Sequence, residues 1–292
     1  MYNGLIMNPK KLALLLLLLA PGVAAVHAQT VVPANASAPP VPVDEIIRKF
    51  SEKEKEFKIA RANYTFRQEV VVESLSPDDR VTGRYQMTTE IGFDTSGKRN
   101  EKIIYAPPDT LKGFSMSPED EADLRNIQPF VLTSDDIAKY KLTYAGQEKV
   151  DEIGCYVFEV EPRKIERDQR YFQGKIWVDD RDFQIVKTYG KAVPDIKTKD
   201  HENIFPRFET YREQIDHKYW FPTYTRALDT LNFQTGPQKI REVVKYQNYK
   251  RFGADVNLTF GDAIDDSGKT VAPVNKDDNR APAIGPSTTK KK

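Results

Sequence analysis

Little in this sequence invites an explanation from covalent or metal chemistry. One residue in 292 is cysteine, Cys155, so no internal disulfide braces the chain and any folded unit must rely on its apolar core. Histidine is nearly as scarce. Of the three, His27 falls in the N-terminal segment, while His201 and His217 read as loop and turn residues without a neighbouring nucleophile or second ligand. A zinc site or a hydrolytic triad therefore lacks its parts. The chain has no Gly-x-Ser-x-Gly elbow, no phosphate-cradling glycine loop and no paired-cysteine motif. Carboxylates are plentiful, but Glu159, Glu161, Asp179, Asp180 and Asp182 fall on one strand face or in one hairpin, not across a cleft as glycoside hydrolysis requires. Asp262, Asp265 and Asp266 lack the spacing and closing glutamate of a calcium loop. These absences predict a protein that is not an enzyme and holds no cofactor or metal.

An excess of one charge is missing too. The 44 Lys and Arg residues are balanced by 43 Asp and Glu and the two signs are mixed throughout, which argues against nucleic acid as a partner. Long apolar runs are confined to Leu12 to Leu19, which follow Lys10 and Lys11 and precede Val26-His27-Ala28. That order reads as a secretory signal peptide cleaved after Ala28, its core far shorter than the ~20 residues needed to cross a bilayer. Gln29 would then be the new N-terminus and offers no cysteine for a lipid anchor, so the expected product is periplasmic and unanchored.

What is present is overwhelmingly β-patterned. Residues 29–42 (QTVVPANASAPPVP) read as a disordered linker and residues 254–292, polar and rich in Pro and Gly, as a disordered tail, leaving one domain over 43–253. The domain opens with a helix capped by Asp44, with Ile46, Ile47, Phe50, Phe57 and Ala60 toward one face and Lys and Glu filling the rest. Period-two alternation follows: Tyr64, Phe66, Val70 and Val72 in a first strand, then Tyr85, Met87, Ile91 and Phe93 in a second across the turn Ser76-Pro77-Asp78-Asp79. A third strand is RNEKIIYA. Seven more are expected over 139–145, 155–161, 171–179, 183–193, 208–215, 219–228 and 240–252, with hairpin turns at Asp179 to Asp182 and at Asp216-His217. Between the third and fourth strands, residues 107–137 change grammar. Ser117 is a helix N-cap, Pro118 takes the first helical position, and Phe114, Met116, Leu124, Ile127, Phe130, Val131 and Leu132 are too apolar for a solvated loop.

About ten antiparallel strands cannot stay flat while one face carries so many rings. The predicted fold is mainly β: a strongly curved antiparallel sheet forming an incomplete barrel, with an N-terminal helix and a helical lid insert. Its inward set is Tyr64, Phe66, Tyr85, Met87, Phe93, Tyr144, Tyr156 and Phe158, with one or more of Trp177, Phe183, Tyr189, Phe221 and Tyr246. These rings either fill a β core or line an apolar pocket. Cys155 alternates with Tyr156 and Phe158 and reads as a buried, unreactive thiol.

Two hairpins carry a resemblance. GKIWVDDRDFQIVKTY (Gly174 to Tyr189) and IDHKYWFPTYTR (Ile215 to Arg226) resemble the hairpins of the LolA/LolB-like superfamily of periplasmic outer-membrane lipoprotein-sorting proteins. The order of signal peptide, helix, strands, helical insert and long hairpins is similar as well. The resemblance implies a half-barrel carrier or chaperone that shelters acyl chains of lipids or lipoproteins, with a membrane-bound protein as a further candidate partner. On that reading the cavity and lid comprise Phe66, Tyr85, Met87, Phe93, Phe114, Met116, Leu124, Ile127, Phe130, Tyr156, Phe158 and Trp177. The chain is longer than the classical short carriers, and none of its arginines aligns with the one that latches their lid. The alternative is a sensor or protein-interaction domain of the same fold, as in the related periplasmic sigma-factor regulators, with its interior filled.

Overall fold

The computed structural model describes residues 38–94, 98–167, 169–197 and 202–252, with the pairs 263–264 and 270–271. The expected signal peptide and cleavage point, His201, Asp262, Asp265 and Asp266, and most of the expected linker and tail lie outside the described residues. Within the stretch read as tail, Ala263–Ile264 pairs with Thr270–Val271 as a short antiparallel ribbon.

Helix α1, Val43–Arg61, buries Ile46, Phe50, Glu54 and Phe57 along one stripe. The spacing of three to four residues is that of a core-facing helix. Two expectations are corrected here. Pro42 and not Asp44 is the N-cap residue, so Asp44 acts from the first turn, where its charge suits the helix dipole. Glu54, expected on the solvated side, stands in the middle of the apolar stripe because the helical period puts it directly between Phe50 and Phe57.

The strands follow in the expected order: β1 Tyr64–Leu75, β2 Val81–Phe93, β3 Arg99–Tyr105, β4 Tyr140–Val150, β5 Ile153–Pro162, β6 Tyr171–Asp179 and β7 Ile185–Val193. A two-residue ribbon, β8 Ile196–Lys197 with β9 Glu202–Asn203, interrupts before β10 Phe208–Ile215, β11 Tyr219–Phe233 and β12 Gly236–Arg251. All but the ribbon form one ten-stranded antiparallel sheet in the order β3-β2-β1-β12-β11-β10-β7-β6-β5-β4, which does not close into a barrel. Asp216 and His217 both adopt positive φ, 53° and 55°, which gives the hairpin turn between β10 and β11 the twist that such two-residue turns favour. The last hairpin runs farther than the alternation indicated, because Gly236 and Pro237 look like a break. Strand β12 pairs with β1 only from Lys239 onward, so Pro237, which has no N–H to donate, stands where no bond to β1 exists. Phe183, expected to open β7, lies in the turn before it at φ 57°, with its ring stacked on Tyr156.

One contiguous core joins residues from every strand of the sheet except edge strand β3, together with Ile46 and Phe50 of α1 and Leu124, Ile127, Phe130 and Leu132 of the insert. That is possible only if the sheet wraps its inner face around the helix and the insert. Rings dominate: Phe130 stacks on Phe172 at 4.4 Å, Phe172 meets Phe208 at 6.1 Å, and Phe158 lies between Phe50 and Tyr144 at 5.7 and 5.6 Å. A smaller cluster, Cys155, Val157, Trp177 and Val186, sits on the opposite face of the same strands.

Phe158 is fully buried whereas Leu228 is 63% exposed. Phe158→Ala is therefore expected to lower the unfolding free energy by about 3–5 kcal/mol, and Leu228→Ala to change it by less than about 0.5 kcal/mol. Urea titrations of the two variants check the pair.

Candidate ligand-binding site

The sheet begins and ends on strands that are consecutive along the chain, β3 and β4. The segment from Ala106 to Lys139 must therefore travel from one edge to the other across the open inner face. Its helix α2, Pro118–Asn126, starts with a reciprocal capping box: Asp120 N donates to Ser117 Oγ at 3.1 Å and Ser117 N to Asp120 Oδ2 at 2.8 Å. The turns of chain beyond α2 lower Ile127, Phe130 and Leu132 into the core.

Polar ties fasten this segment at both ends and in the middle. Tyr85 Oη donates to Glu121 at 3.0 Å from β2, and Asn203 Nδ2 donates to Asp120 Oδ1 at 2.7 Å from β9. Arg170, just before β6, reaches Asp123 Oδ2 at 2.6 Å and the carbonyl of Pro194. From β10, Arg212 grips Glu54 of α1 through both carboxylate oxygens, at 2.9 and 3.2 Å, and also donates to the carbonyl of Phe130. Both members of that ion pair are essentially inaccessible to solvent. Burial pushes the Glu54 carboxyl above its ordinary value, opposed by the guanidinium. Gln128 donates its side-chain amide to Glu242 of β12, and Thr210 Oγ1 donates to the Gln128 carbonyl at 3.2 Å.

At the β3-side end of the insert the packing opens into a hollow of about 40 Å³. Val72, Phe114, Met116, Ile204, Phe205, Leu231, Phe233 and Ile240 supply its apolar wall, and Ser115, Asp120, Glu202 and Glu242 its polar groups. Phe114 and Phe233 stack across the rim at 5.7 Å. Burial lifts the Glu242 carboxyl to about 7, with Asp120 nearby adding to the shift and the Gln128 amide opposing it.

The expected cavity and lid residues divide unevenly. Phe66, Tyr85, Phe93, Phe114, Met116, Leu124, Ile127, Phe130, Tyr156 and Phe158 all join or pack against the inner core. Only Phe114 and Met116 among them line the hollow; Phe66, Phe130, Tyr156 and Phe158 are packed in ring contacts, and Phe93, Leu124 and Ile127 lie in the core beside them. Met87 is half-buried beneath the Tyr85 hydroxyl, 3.6 Å from its sulfur. Trp177 is a correction. Period two puts it opposite Ile176 and Val178, so it faces outward, where its Nε1 donates to Glu148 at 2.8 Å and Lys187 lies 4.7 Å above its ring. Tyr189, counted among the possible inward residues, is likewise on the outside and 42% exposed. Cys155 is buried in the outer cluster, and burial pushes its thiol up to about 12, away from reactivity. Ile204, Phe205, Leu231, Phe233, Ile240, Glu202 and Glu242 were missed as site residues. For Glu242 a signal existed: it shares the alternation of Ile240, Val244 and Tyr246 and so interrupts an inward apolar row.

Three solved structures are among those to which this chain is similar. A DUF1329 family protein from Desulfovibrio piger aligns over 75% of this chain and 95% of its own at 16% identity and a TM-score of 0.37. A LolA superfamily protein from Nitrosomonas europaea aligns over 73% and 94% at 17% identity and a TM-score of 0.31. The MucA/MucB complex of Pseudomonas aeruginosa aligns over 68% and 98% at 12% identity and a TM-score of 0.20. No family model matches the chain and no curated protein does. Among the described residues no group of three or more His, Cys, Asp and Glu is placed to hold a metal ion, and no helix is long and apolar enough to cross a membrane.

The Glu242 carboxyl has its folded-state value raised from an ordinary 4.5 to about 7. The folded state thus prefers the neutral acid, and its stability is fully present below 4.5 and is lost as pH rises through 7. Glu242→Gln removes this dependence. Its gain over the native protein is expected to be small at low pH and to approach about 3 kcal/mol above pH 7, read as the difference between the two melting curves across that range.

Proposed function

We propose that this protein is an exported, non-enzymatic binding module that shelters an apolar chain, such as a lipid or lipoprotein acyl group, between the inner face of its open sheet and the 106–139 insert. The observation that carries the reading is the path of that insert. It covers the inner face with Leu124, Ile127, Phe130 and Leu132, side chains that an acyl chain could replace contact for contact, and it is held by a countable set of polar ties instead of sheet pairing. Each buried methylene contributes ~0.8 kcal/mol, so an acyl chain can compensate for displaced lid side chains. The hollow under Phe114 and Met116 marks where the packing is already incomplete. A hollow of 40 Å³ admits a head group and no more, so uptake requires the insert to move outward. Export to the periplasm rests on the signal-peptide pattern of residues 1–28.

A second reading has its own support. The continuous ring packing from Phe205 through Phe208 and Phe172 to Phe130 fills the interior and suits a protein-interaction domain that never opens. Native mass spectrometry of protein purified from the periplasm separates the two. Co-purifying lipid, with saturable uptake of the apolar dye N-phenylnaphthylamine, supports the carrier; a ligand-free protein with no uptake sinks it and leaves the interaction domain.

For the carrier, Phe114→Ser at the rim is expected to weaken dye uptake by about tenfold while far-UV dichroism stays unchanged. Asp123→Asn, which breaks the tie to Arg170, should speed uptake by loosening the insert; stopped-flow fluorescence checks both.

A further inference from the structure

The polar side of the hollow is unbalanced in one direction. Glu242 is 3% exposed and receives one side-chain bond, from the Gln128 amide. The charged groups facing it are acids: Asp120 from α2 and Glu202 from β9, while its sheet partners Val72 and Ala227 carry no charge. No Lys or Arg lines the hollow among the described residues. Behind the lining, on the amides that donate to Glu242 and Asp120, Gln128 Oε1 and Asn203 Oδ1 are buried without donors of their own. A buried carboxylate without a counter-charge is costly, and orphaned acceptors cost about 1–3 kcal/mol each. Asp120 already accepts from Ser117 N and Asn203 Nδ2 and Glu202 from Gln234 N, so what the three acids of the hollow lack is positive charge.

We propose that the hollow receives the ammonium head of a long-chain amine, with Glu242 as its counter-charge, Asp120 beside it, and the rings of Phe114, Phe205 and Phe233 around the cation. This deepens the apolar-chain reading and rests on it, since the tail would follow the inner face under the insert. An ammonium group brings three donors and one positive charge into a space of 40 Å³ that suits a head of that size. Aromatic faces add cation–π attraction. A carboxylate head would meet three acids there, and a hydroxyl would satisfy the acceptors without the charge. Binding the cation ionises Glu242 and releases its proton, so amine affinity rises with pH through the range where Glu242 titrates.

The test is displacement of N-phenylnaphthylamine from the full chain by dodecylammonium, dodecanol and dodecanoate. At about pH 8 dodecylammonium is expected to act at a concentration at least about tenfold lower than dodecanol, with dodecanoate weakest. In Glu242→Gln the advantage of the amine should fall to within about threefold of dodecanol, and Asp120→Asn, on a different element, should reduce it part-way. Equal potency of the three compounds on the native protein, or an amine advantage that survives Glu242→Gln unchanged, overturns the proposal while leaving the carrier reading in place. Displacement by none of the three overturns both.

Discussion

The architecture turns on a topological constraint: the two edges of one open sheet are joined by a single stretch of chain. Strands β3 and β4 follow each other along the chain yet lie at opposite margins of the large sheet. A connection of that reach has to cross the inner face, and buried backbone must find partners as it goes. The insert meets this demand with a capped helix, a short 3-10 turn at Ile137–Lys139 and side-chain ties from the sheet to its carbonyls. The same crossing shields the rings that an open sheet would leave in water.

Electrostatics inside this enclosure are divided between two kinds of buried acid. Glu54 and Asp123 each face an arginine, Arg212 and Arg170, and serve as fasteners between layers. Removing one member of such a pair strands a charge and is far costlier than replacing both. Glu242 has an amide where the others have a guanidinium, which is why its carboxyl sits so high. An uncompensated group of this kind is a poor choice for stability alone and directs attention to the hollow it borders.

Legibility varied with the physical source of each feature. Alternation in 64–72 and 85–93 disclosed strands and their inner faces because one side of each is buried. Ser117-Pro118 disclosed α2 because capping is local chemistry. The role of Glu54 escaped notice, since an acidic residue on a Lys- and Glu-rich helix looks solvated until Arg212, far along the chain, is brought against it. Trp177 looks inward by its apolar bulk, but its register between Ile176 and Val178 puts it on the outer face.

By itself, then, the sequence determined the mainly β class, the near-complete list of strands, the capped helix in the insert and the aromatic character of the inner face, all of which follow from residue neighbours at periods of two or three to four. Tertiary structure alone decided how far the rings fill the interior, which acids gain arginines and where the packing stops short. Those outcomes depend on the summed volume and relative placement of side chains from α1, the insert and distant strands, and no local pattern encodes that sum.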